Sequence, residues 1–283
     1  MTISNAVLSA LRCPKCGAAV SFDGRSLFCT GARRHCYDAA ASGYINLAPE
    51  HRAGGDSREA VRARSAFLGR GYYADAADAI ASLAEKYLAD RANPILVDAG
   101  CGEGYYTNRL AECGTVCGFD LSRAAVDAGA KAARRRGIDA FYAVAGLYNL
   151  PLFEESADLV LNHFAPCAEE EFSRVLRKDG VLIVGAAGET HLLGLKRVLY
   201  DTPVLNAPRA DLPCSMRLLE KRRVQKTVRI EGSADIAALF AMTPYYYRTS
   251  EADRAKLAAL DVLETEIDVE LLVYGRQNGK DDR

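Results

Sequence analysis

The chain has 283 residues, 49% of them hydrophobic and 26% charged, which is ordinary for a globular protein. Its formal net charge is −1, yet residues 1–70 carry ten Lys or Arg against five Asp or Glu, so a basic front precedes a mildly acidic remainder. Apolar runs of membrane-spanning length and a signal-peptide pattern are both absent. We therefore expect a cytoplasmic protein without a membrane partner, whose nine cysteines are reduced.

Near the N-terminus, two pairs of metal-ligating residues flank a predicted hairpin. Cys13 and Cys16 are two residues apart, so a tight turn would bring both thiolates to one ion. Beyond the strands AAVSF and SLFC lies the second pair, Cys29 with either His35 or Cys36. Such a set is typical of structural zinc, and a metal would stabilise a module too small for a sufficient core. We favour His35 as the fourth ligand, with Cys36 as the alternative.

Two helices are predicted between this module and the first long strand. One begins near Arg58, and the second covers residues 74–89 with an amphipathic pattern. Arg58, Arg62 and Arg64 lie within two turns of the first helix. They form either a solvated basic face or, beside a zinc module, a face that contacts phosphates.

A glycine-rich turn follows the first strand, in the stretch VDAGCGEGYYT. Its glycines, Gly100, Gly102 and Gly104, have the spacing G-x-G-x-G instead of the G-x-G-x-x-G of dinucleotide folds. Glu103 places a carboxylate where a phosphate would otherwise bind. The pattern disfavours an NAD-dependent dehydrogenase and favours a ligand with a cationic or hydroxyl-bearing end.

Acidic residues at three positions complete this pattern. Asp98 precedes the turn, Glu103 lies within it, and Asp120 ends the second strand, about 20 residues on, where it can accept hydrogen bonds from a ribose diol. Together with the glycines they look like the nucleoside pocket of a class I S-adenosylmethionine (SAM) methyltransferase. We therefore predict that Asp98, Gly100, Gly102, Glu103, Gly104 and Asp120 bind SAM.

From residue 95 onward, strands and helices alternate, which predicts an α/β fold with a mostly parallel, Rossmann-like sheet. The stretch ETEIDVELLVYGR predicts a late strand, antiparallel at the sheet edge. KRRVQK, at 221–226, is a candidate RNA contact. We predict three regions: a zinc-binding RNA-recognition module at 1–50, a helical linker at 51–93 and a class I SAM methyltransferase domain at 94–283.

Five stretches in this order resemble the RlmA-type family of 23S ribosomal RNA guanine-N1 methyltransferases. They are CPKC…C…HCYDAAASGYINL, GDSREAVRARSAFLGRGYY, VDAGCGEGYYT, FAPCAEEEFSRVLRKDG and GETHLLGLKRVLYD. The resemblance covers nearly the whole chain. It implies a zinc module and a class I SAM domain, 23S rRNA as substrate, a link to macrolide sensitivity and often a homodimer.

The same resemblance implies individual site residues. Zinc ligands would be Cys13, Cys16, Cys29 and His35, although the gap from Cys29 to His35 is longer than the family pattern. SAM contacts would be Tyr73, Gly102, Glu103 and His191.

The mechanism that this implies needs little beyond geometry, because the methyl group of SAM is already activated. The enzyme must hold guanine N1 in line with that methyl group and must remove or tolerate the proton on N1. N1 lies on the Watson–Crick face, so the target must be unpaired or flipped out. We expect the stretch NHFAPC to line the base pocket, with Asn162 and Phe164 as its catalytic-site residues and Phe164 stacked on the base.

Two rival functions remain open from the sequence. A class I methyltransferase of a small molecule or of another RNA would share the fold. A zinc-ribbon protein that binds SAM without turnover would share both sites and transfer no methyl group.

Overall fold

The computed structural model describes residues 2–48, 55–207 and 216–276. The predicted boundary between residues 50 and 51 lies outside them. The helices are α1 (Asn5–Ala10), α2 (Arg58–Leu68), α3 (Ala74–Leu88), α4 (Tyr105–Leu110), α5 (Arg123–Arg136), α6 (Glu169–Val175), α7 (Leu193–Leu199), α8 (Ser233–Ala241) and α9 (Glu251–Ala258). The strands are β1 (Val20–Phe22), β2 (Ser26–Cys29), β3 (Cys36–Asp38), β4 (Ile45–Asn46), β5 (Ile95–Ala99), β6 (Thr115–Asp120), β7 (Ala140–Val144), β8 (Ala157–His163), β9 (Leu176–Ala187), β10 (Met216–Glu231) and β11 (Val262–Arg276).

The larger sheet has the strand order β10-β11-β9-β8-β5-β6-β7-β4 in the described residues. The strands from β9 to β4 pair in parallel, and β10 and β11 add an antiparallel pair at one side. Short apolar runs such as ILVDA form fully buried strands because helices cover both faces of the parallel part. The predicted α/β, Rossmann-like fold is therefore confirmed.

The sheet edge differs from the prediction. β11 is antiparallel, as expected, but it lies between β9 and β10, and the edge is β10. Residues of β11 are buried along much of its length, whereas β10 alternates exposed and half-buried positions. The stretch KRRVQK therefore belongs to a long edge strand, whose charged side chains discourage pairing with another chain.

Local signals explain the helix starts. Ser57 caps α2, where its hydroxyl accepts a hydrogen bond from the N–H of Ala60 at 3.2 Å. Ser122 caps α5 in the same way through Ala125. α5 ends at Arg136, and Gly137 caps it with a φ of 66°. The last turn of α5 carries Arg134, Arg135 and Arg136, whose positive charges are favourable at a helix C-terminus.

The N-terminal module shares its core with the larger sheet. The predicted hairpin is present, because β1 pairs antiparallel with β2. After β3, the chain enters the larger sheet as β4, which pairs in parallel with β7. Buried residues of the module, including Leu27 and Ile45, pack in one continuous cluster with Phe119 and Leu182 of the parallel strands. The described helices include none that is long and apolar enough to cross a membrane.

We expect the substitution Ile45→Ala to lower the free energy of unfolding by about 2–5 kcal/mol, because Ile45 is fully buried and its truncation leaves a cavity. Urea denaturation of the zinc-loaded protein measures this. Val262→Ala is the control, since Val262 is exposed at the start of β11, and should change stability by no more than about 0.5 kcal/mol. Equal effects of the two substitutions would contradict the shared core.

Candidate functional site

Four potential metal ligands converge in the N-terminal module. The ligand atoms of Cys13, Cys16, Cys29 and His35 all lie within 4.8 Å of one another. Cys16 Sγ is 3.5 Å from Cys29 Sγ, and His35 Nδ1 is 3.4 Å from Cys13 Sγ and 3.6 Å from Cys29 Sγ. A tetrahedral zinc ion requires separations of about 3.8 Å between sulfurs and about 3.6 Å between sulfur and nitrogen. The donor set and its spacing therefore fit zinc.

The choice between His35 and Cys36 follows from β3. This strand begins at Cys36, and successive side chains of a strand point to opposite faces. Cys36 is exposed, with its Sγ 3.8 Å from a carboxylate oxygen of Asp38. His35, just before the strand, faces the other three ligands. The favoured assignment of His35 is the one that the geometry supports.

Hydrogen bonds around Cys13 favour its thiolate. Burial raises the pKa of this thiol, but the Tyr37 hydroxyl, 3.2 Å from its Sγ, and the backbone around Lys15 and Cys16 together lower the pKa to about 6. Thiolates are the form that binds metal. Tyr37 thus supports the ligand set from outside it.

The glycine turn joins β5 to α4 at the carboxyl edge of the sheet. Gly100, Gly102 and Gly104 have φ values of 92°, 53° and 79°, in the left-handed region that favours glycine. A Cβ at Gly100 would lie 2.5 Å from Ala165 Cβ, and one at Gly104 would overlap the Tyr142 hydroxyl. The turn is therefore held tightly by Ala165 and Tyr142, and Gly100 and Gly102 are its partly exposed glycines.

The acids at this edge are partly engaged. Asp120 accepts hydrogen bonds from the N–H groups of Gly102 at 3.1 Å and Ser122 at 2.7 Å, which fix its carboxylate beside the turn. Glu103 is buried, and its Oε2 accepts a hydrogen bond from Arg64 Nε at 2.6 Å. Its Oε1 has no protein donor in the described segments. These carboxylates retain the acceptor positions that a ribose diol requires, so the site fits the nucleoside part of SAM.

Arg64 is not part of an exposed basic face. It leaves α2 toward the glycine turn and contacts both Glu103 and Asp56. These two carboxylates raise its pKa despite burial, so its charge is fixed. Arg58 and Arg62 remain exposed on α2. The role of Arg64 could not be predicted from the sequence, because its partner Glu103 is 39 residues away.

Asp98 lies beneath the turn instead of beside it. Its carboxyl is buried and accepts a hydrogen bond from the Thr107 hydroxyl at 2.6 Å. Burial raises its pKa to about 7, and the nearby acids Asp120 and Glu103 add to this. A direct contact between Asp98 and SAM stays a prediction.

Next to the turn, Tyr73 and His191 meet although 118 residues separate them. The Tyr73 hydroxyl is 3.1 Å from His191 Nε2, and both side chains are buried. Burial lowers the pKa of His191 to about 4 and raises that of Tyr73, so both are neutral at pH 7. The two residues that the family resemblance named are thus brought together.

The stretch NHFAPC closes the same region. Asn162 is buried, and its Nδ2 donates to the carbonyl oxygens of Ala99 and Pro166, each at 3.1 Å. Phe164 is 47% exposed and adopts a φ of 51°, an unfavourable value for a phenylalanine. Its ring lies 6.5 Å from that of Tyr73 and 5.3 Å from that of His191. An exposed aromatic ring beside the predicted SAM site is placed where a base could stack.

His163, within the stretch NHFAPC, points into the core. Its ring is buried between Tyr106 and Phe164, with ring centroids 4.3 Å away in each case. Both ring nitrogens, like Asn162 Oδ1, lack a hydrogen-bond partner in the described residues. Desolvation lowers the pKa of His163 to about 3.

The basic stretch of β10 is occupied by ion pairs. Arg223 pairs with Asp268, Lys226 with Asp75 on α3, and Lys221 with Glu270. These contacts tie the edge strand to its neighbours and neutralise the charges that suggested an RNA contact. An RNA contact at KRRVQK stays a prediction.

Comparisons with known proteins match both parts of the chain. The family described as "RlmA, N-terminal" matches residues 11–53, and the one described as "Methyltransferase domain" matches residues 96–180. A Streptomyces fradiae protein named 23S rRNA (guanine(748)-N(1))-methyltransferase is 36% identical over 89% of this chain and 91% of its own length.

Two further relatives carry similar names. A putative 23S rRNA (guanine-N(1)-)-methyltransferase of Micromonospora griseorubida is 31% identical over 90% of this chain and 92% of its own length. A protein of Bacillus subtilis, named putative 23S rRNA (guanine-N(1)-)-methyltransferase YxjB, is 33% identical over 69% of this chain and 71% of its own length.

We expect Cys13→Ser and His35→Ala each to lose most of the bound zinc, because each removes one of four converging ligands. Metal analysis of the purified proteins measures this. Cys36→Ser is the matched control and should keep one zinc per chain, since Cys36 is exposed beside the cluster. Zinc loss from the Cys36 variant with retention in the His35 variant would reverse the assignment.

The buried His163 should make the fold sensitive to acid. Its pKa of about 3 lies below the ordinary value of 6.5, so below pH 6.5 the unfolded chain binds a proton at this position and the folded chain does not. Stability that is present above pH 6.5 is therefore lost as the pH falls toward 3, by about 1.4 kcal/mol per pH unit.

His163→Asn removes this contribution. Its stability should fall less steeply than that of the wild type between pH 6 and pH 4.5, as measured by urea denaturation. Parallel pH profiles would show that His163 is accessible to protons in the folded state.

Proposed function

Since the chain belongs to the RlmA-type family of 23S rRNA (guanine-N1-)-methyltransferases, we propose that it transfers the methyl group of S-adenosylmethionine to N1 of a guanine in a hairpin loop of 23S rRNA. The observation that carries this proposal is the match over nine-tenths of the chain to a relative so named. That match includes both the zinc ribbon and the SAM domain, which a methyltransferase of small molecules would not require.

SAM, when bound, supplies a methyl group on a sulfonium that is already activated for transfer. Glu103 and Asp120 are proposed to accept hydrogen bonds from the ribose hydroxyls, because both carboxylates lie beside the glycine turn. Gly100, Gly102 and Gly104 let the cofactor approach the backbone closely. In this arrangement Glu103 would bind both Arg64 and the ribose. Its ion pair with Arg64 also holds α2 against the cofactor site.

The methionine end of SAM is assigned to Tyr73 and His191. Both are neutral at pH 7 and buried, so they offer hydrogen bonds and no net charge. The sulfonium therefore meets no repulsive cation from either residue. The carboxylate of the methionine moiety is the group that a neutral hydroxyl donor suits best.

The target base is assigned to the region of Asn162 and Phe164. Phe164, half-exposed beside Tyr73 and His191, offers a ring on which an unpaired guanine can stack. Asn162 holds the loop that carries Phe164, because its amide bridges the carbonyls of Ala99 and Pro166. Stacking on Phe164 would fix the plane of the base beside the cofactor that the glycine turn would hold.

The zinc ribbon is proposed to help recognise the rRNA. Cys13, Cys16, Cys29 and His35 would hold the zinc ion, which stabilises the module. Arg33 and Arg34 are exposed near the cluster, and Arg34 lies 4.2 Å over the ring of Phe28. Such a surface suits the phosphates of a folded RNA. We also propose that the protein is a cytoplasmic homodimer and that its activity affects macrolide sensitivity.

The test is methyl transfer from labelled SAM to unmodified 23S rRNA, followed by mapping of reverse-transcription stops. N1-methylguanine cannot form a Watson–Crick pair, so we expect one new stop in one hairpin loop. The name of the Streptomyces fradiae relative makes guanine 748 the first position to inspect. Phe164→Ala should reduce transfer at least tenfold with little change in SAM affinity.

If the protein binds SAM but incorporates no labelled methyl group into any rRNA, the proposal is overturned. That result would favour a protein that binds SAM without transferring its methyl group. Incorporation at several unrelated positions would indicate another RNA as the substrate.

A further inference from the structure

A buried carboxylate, that of Asp268 on β11, lies behind His191. Asp268 is fully buried, yet its two oxygens accept hydrogen bonds from Arg223 Nε and Nη2, each at 2.7 Å. Thr190 adds two further bonds, from its N–H at 2.9 Å and its hydroxyl at 2.8 Å. A buried charge with this many donors is rigidly held.

The backbone of Asp268 continues this arrangement toward the cofactor site. Its carbonyl accepts a hydrogen bond from the N–H of Gly188 at 2.8 Å, and its own N–H donates to His191 Nδ1 at 3.1 Å. A backbone N–H can only donate, so Nδ1 must be the acceptor nitrogen of the imidazole. The single proton of the neutral ring is then on Nε2.

The position of that proton determines what Tyr73 can do. His191 Nε2–H donates to the Tyr73 hydroxyl oxygen at 3.1 Å. The hydroxyl proton of Tyr73 is therefore directed elsewhere, and it meets no acceptor in the described residues. The result is a directional chain of hydrogen bonds, from β11 through His191 to Tyr73, in which each bond polarises the next.

We propose that Asp268, held by Arg223 and Thr190, is a positioning residue that fixes the Nε2–H tautomer of His191 and thereby reserves the Tyr73 hydroxyl as a donor for the carboxylate of SAM. The inference rests on the proposed function only in requiring that the protein binds SAM. An anion is the partner that fits, because the amino and sulfonium groups of SAM need acceptors, whereas Tyr73 in this state offers a donor.

The first experiment compares the binding of SAM with that of decarboxylated SAM, by calorimetry and without RNA. We expect the wild type to prefer SAM by about tenfold or more, the value of one charge-assisted hydrogen bond. Tyr73→Phe should abolish most of this preference. Asp268→Asn and Arg223→Gln should reduce the preference for SAM several-fold, because each weakens the binding of SAM and leaves that of decarboxylated SAM unchanged.

Arg229→Gln is the matched control, because Arg229 lies on the same edge strand but pairs only with exposed acids. It should bind both ligands as the wild type does. If Asp268→Asn weakens both ligands by the same factor, Asp268 has only a structural role and the proposal is overturned.

A second readout follows the tautomer directly. In protein labelled with ¹⁵N-histidine, the wild-type His191 should show an unprotonated Nδ1 and a protonated Nε2, and His191→Gln identifies its signals among the four histidines. We expect Asp268→Asn to give a mixture of tautomers. An unchanged Nε2–H tautomer in that variant would overturn the proposed role.

The outcome is separable from that of the proposed function. If the wild type prefers SAM as expected but methylates no rRNA, the proposed function is overturned and the role of Asp268 is not. A wild type that methylates rRNA but binds both ligands equally would do the reverse.

Discussion

The parallel pairing of β5 with β6 and β8, and of β8 with β9, is the constraint on which the rest of the structure depends. Parallel strands end at the same edge, so the residues that follow them meet without being close in sequence. The glycine turn, Asp120, NHFAPC and the segment before α7 converge in this way. The chemistry then needs few dedicated residues, since SAM carries its own activation and the fold supplies the proximity.

The zinc ribbon is built into this sheet and is not a separate appendage. The bridge between Leu11 and Leu152, the hydrogen bond from Arg12 N–H to the carbonyl of Pro151, and the pairing of β4 with β7 all join it to the larger sheet. A single core passes between the two parts. The metal therefore stabilises a surface whose position relative to the SAM site is fixed.

How much of this could be predicted from sequence depended on the range of each interaction. The C-x-x-C knuckle, the hairpin and the G-x-G-x-G turn are local, and each was predicted correctly in kind. The edge strand β10 was not predicted, because its charged residues suggested an RNA contact, whereas they form ion pairs with β11 and α3. The contacts of Arg64 with Glu103, and of His191 with Asp268, join residues far apart, so no periodicity signals them.

The position of β4 has a consequence for the synthesis of the protein. Its partner, β7, lies roughly 100 residues later in the chain, which takes a ribosome about 5–20 s to add. The four zinc ligands lie within 23 residues, so the metal can bind while that strand is still unpaired. Zinc uptake can thus precede completion of the sheet, and a nascent chain deprived of metal would expose both its module and an unfinished sheet edge to aggregation.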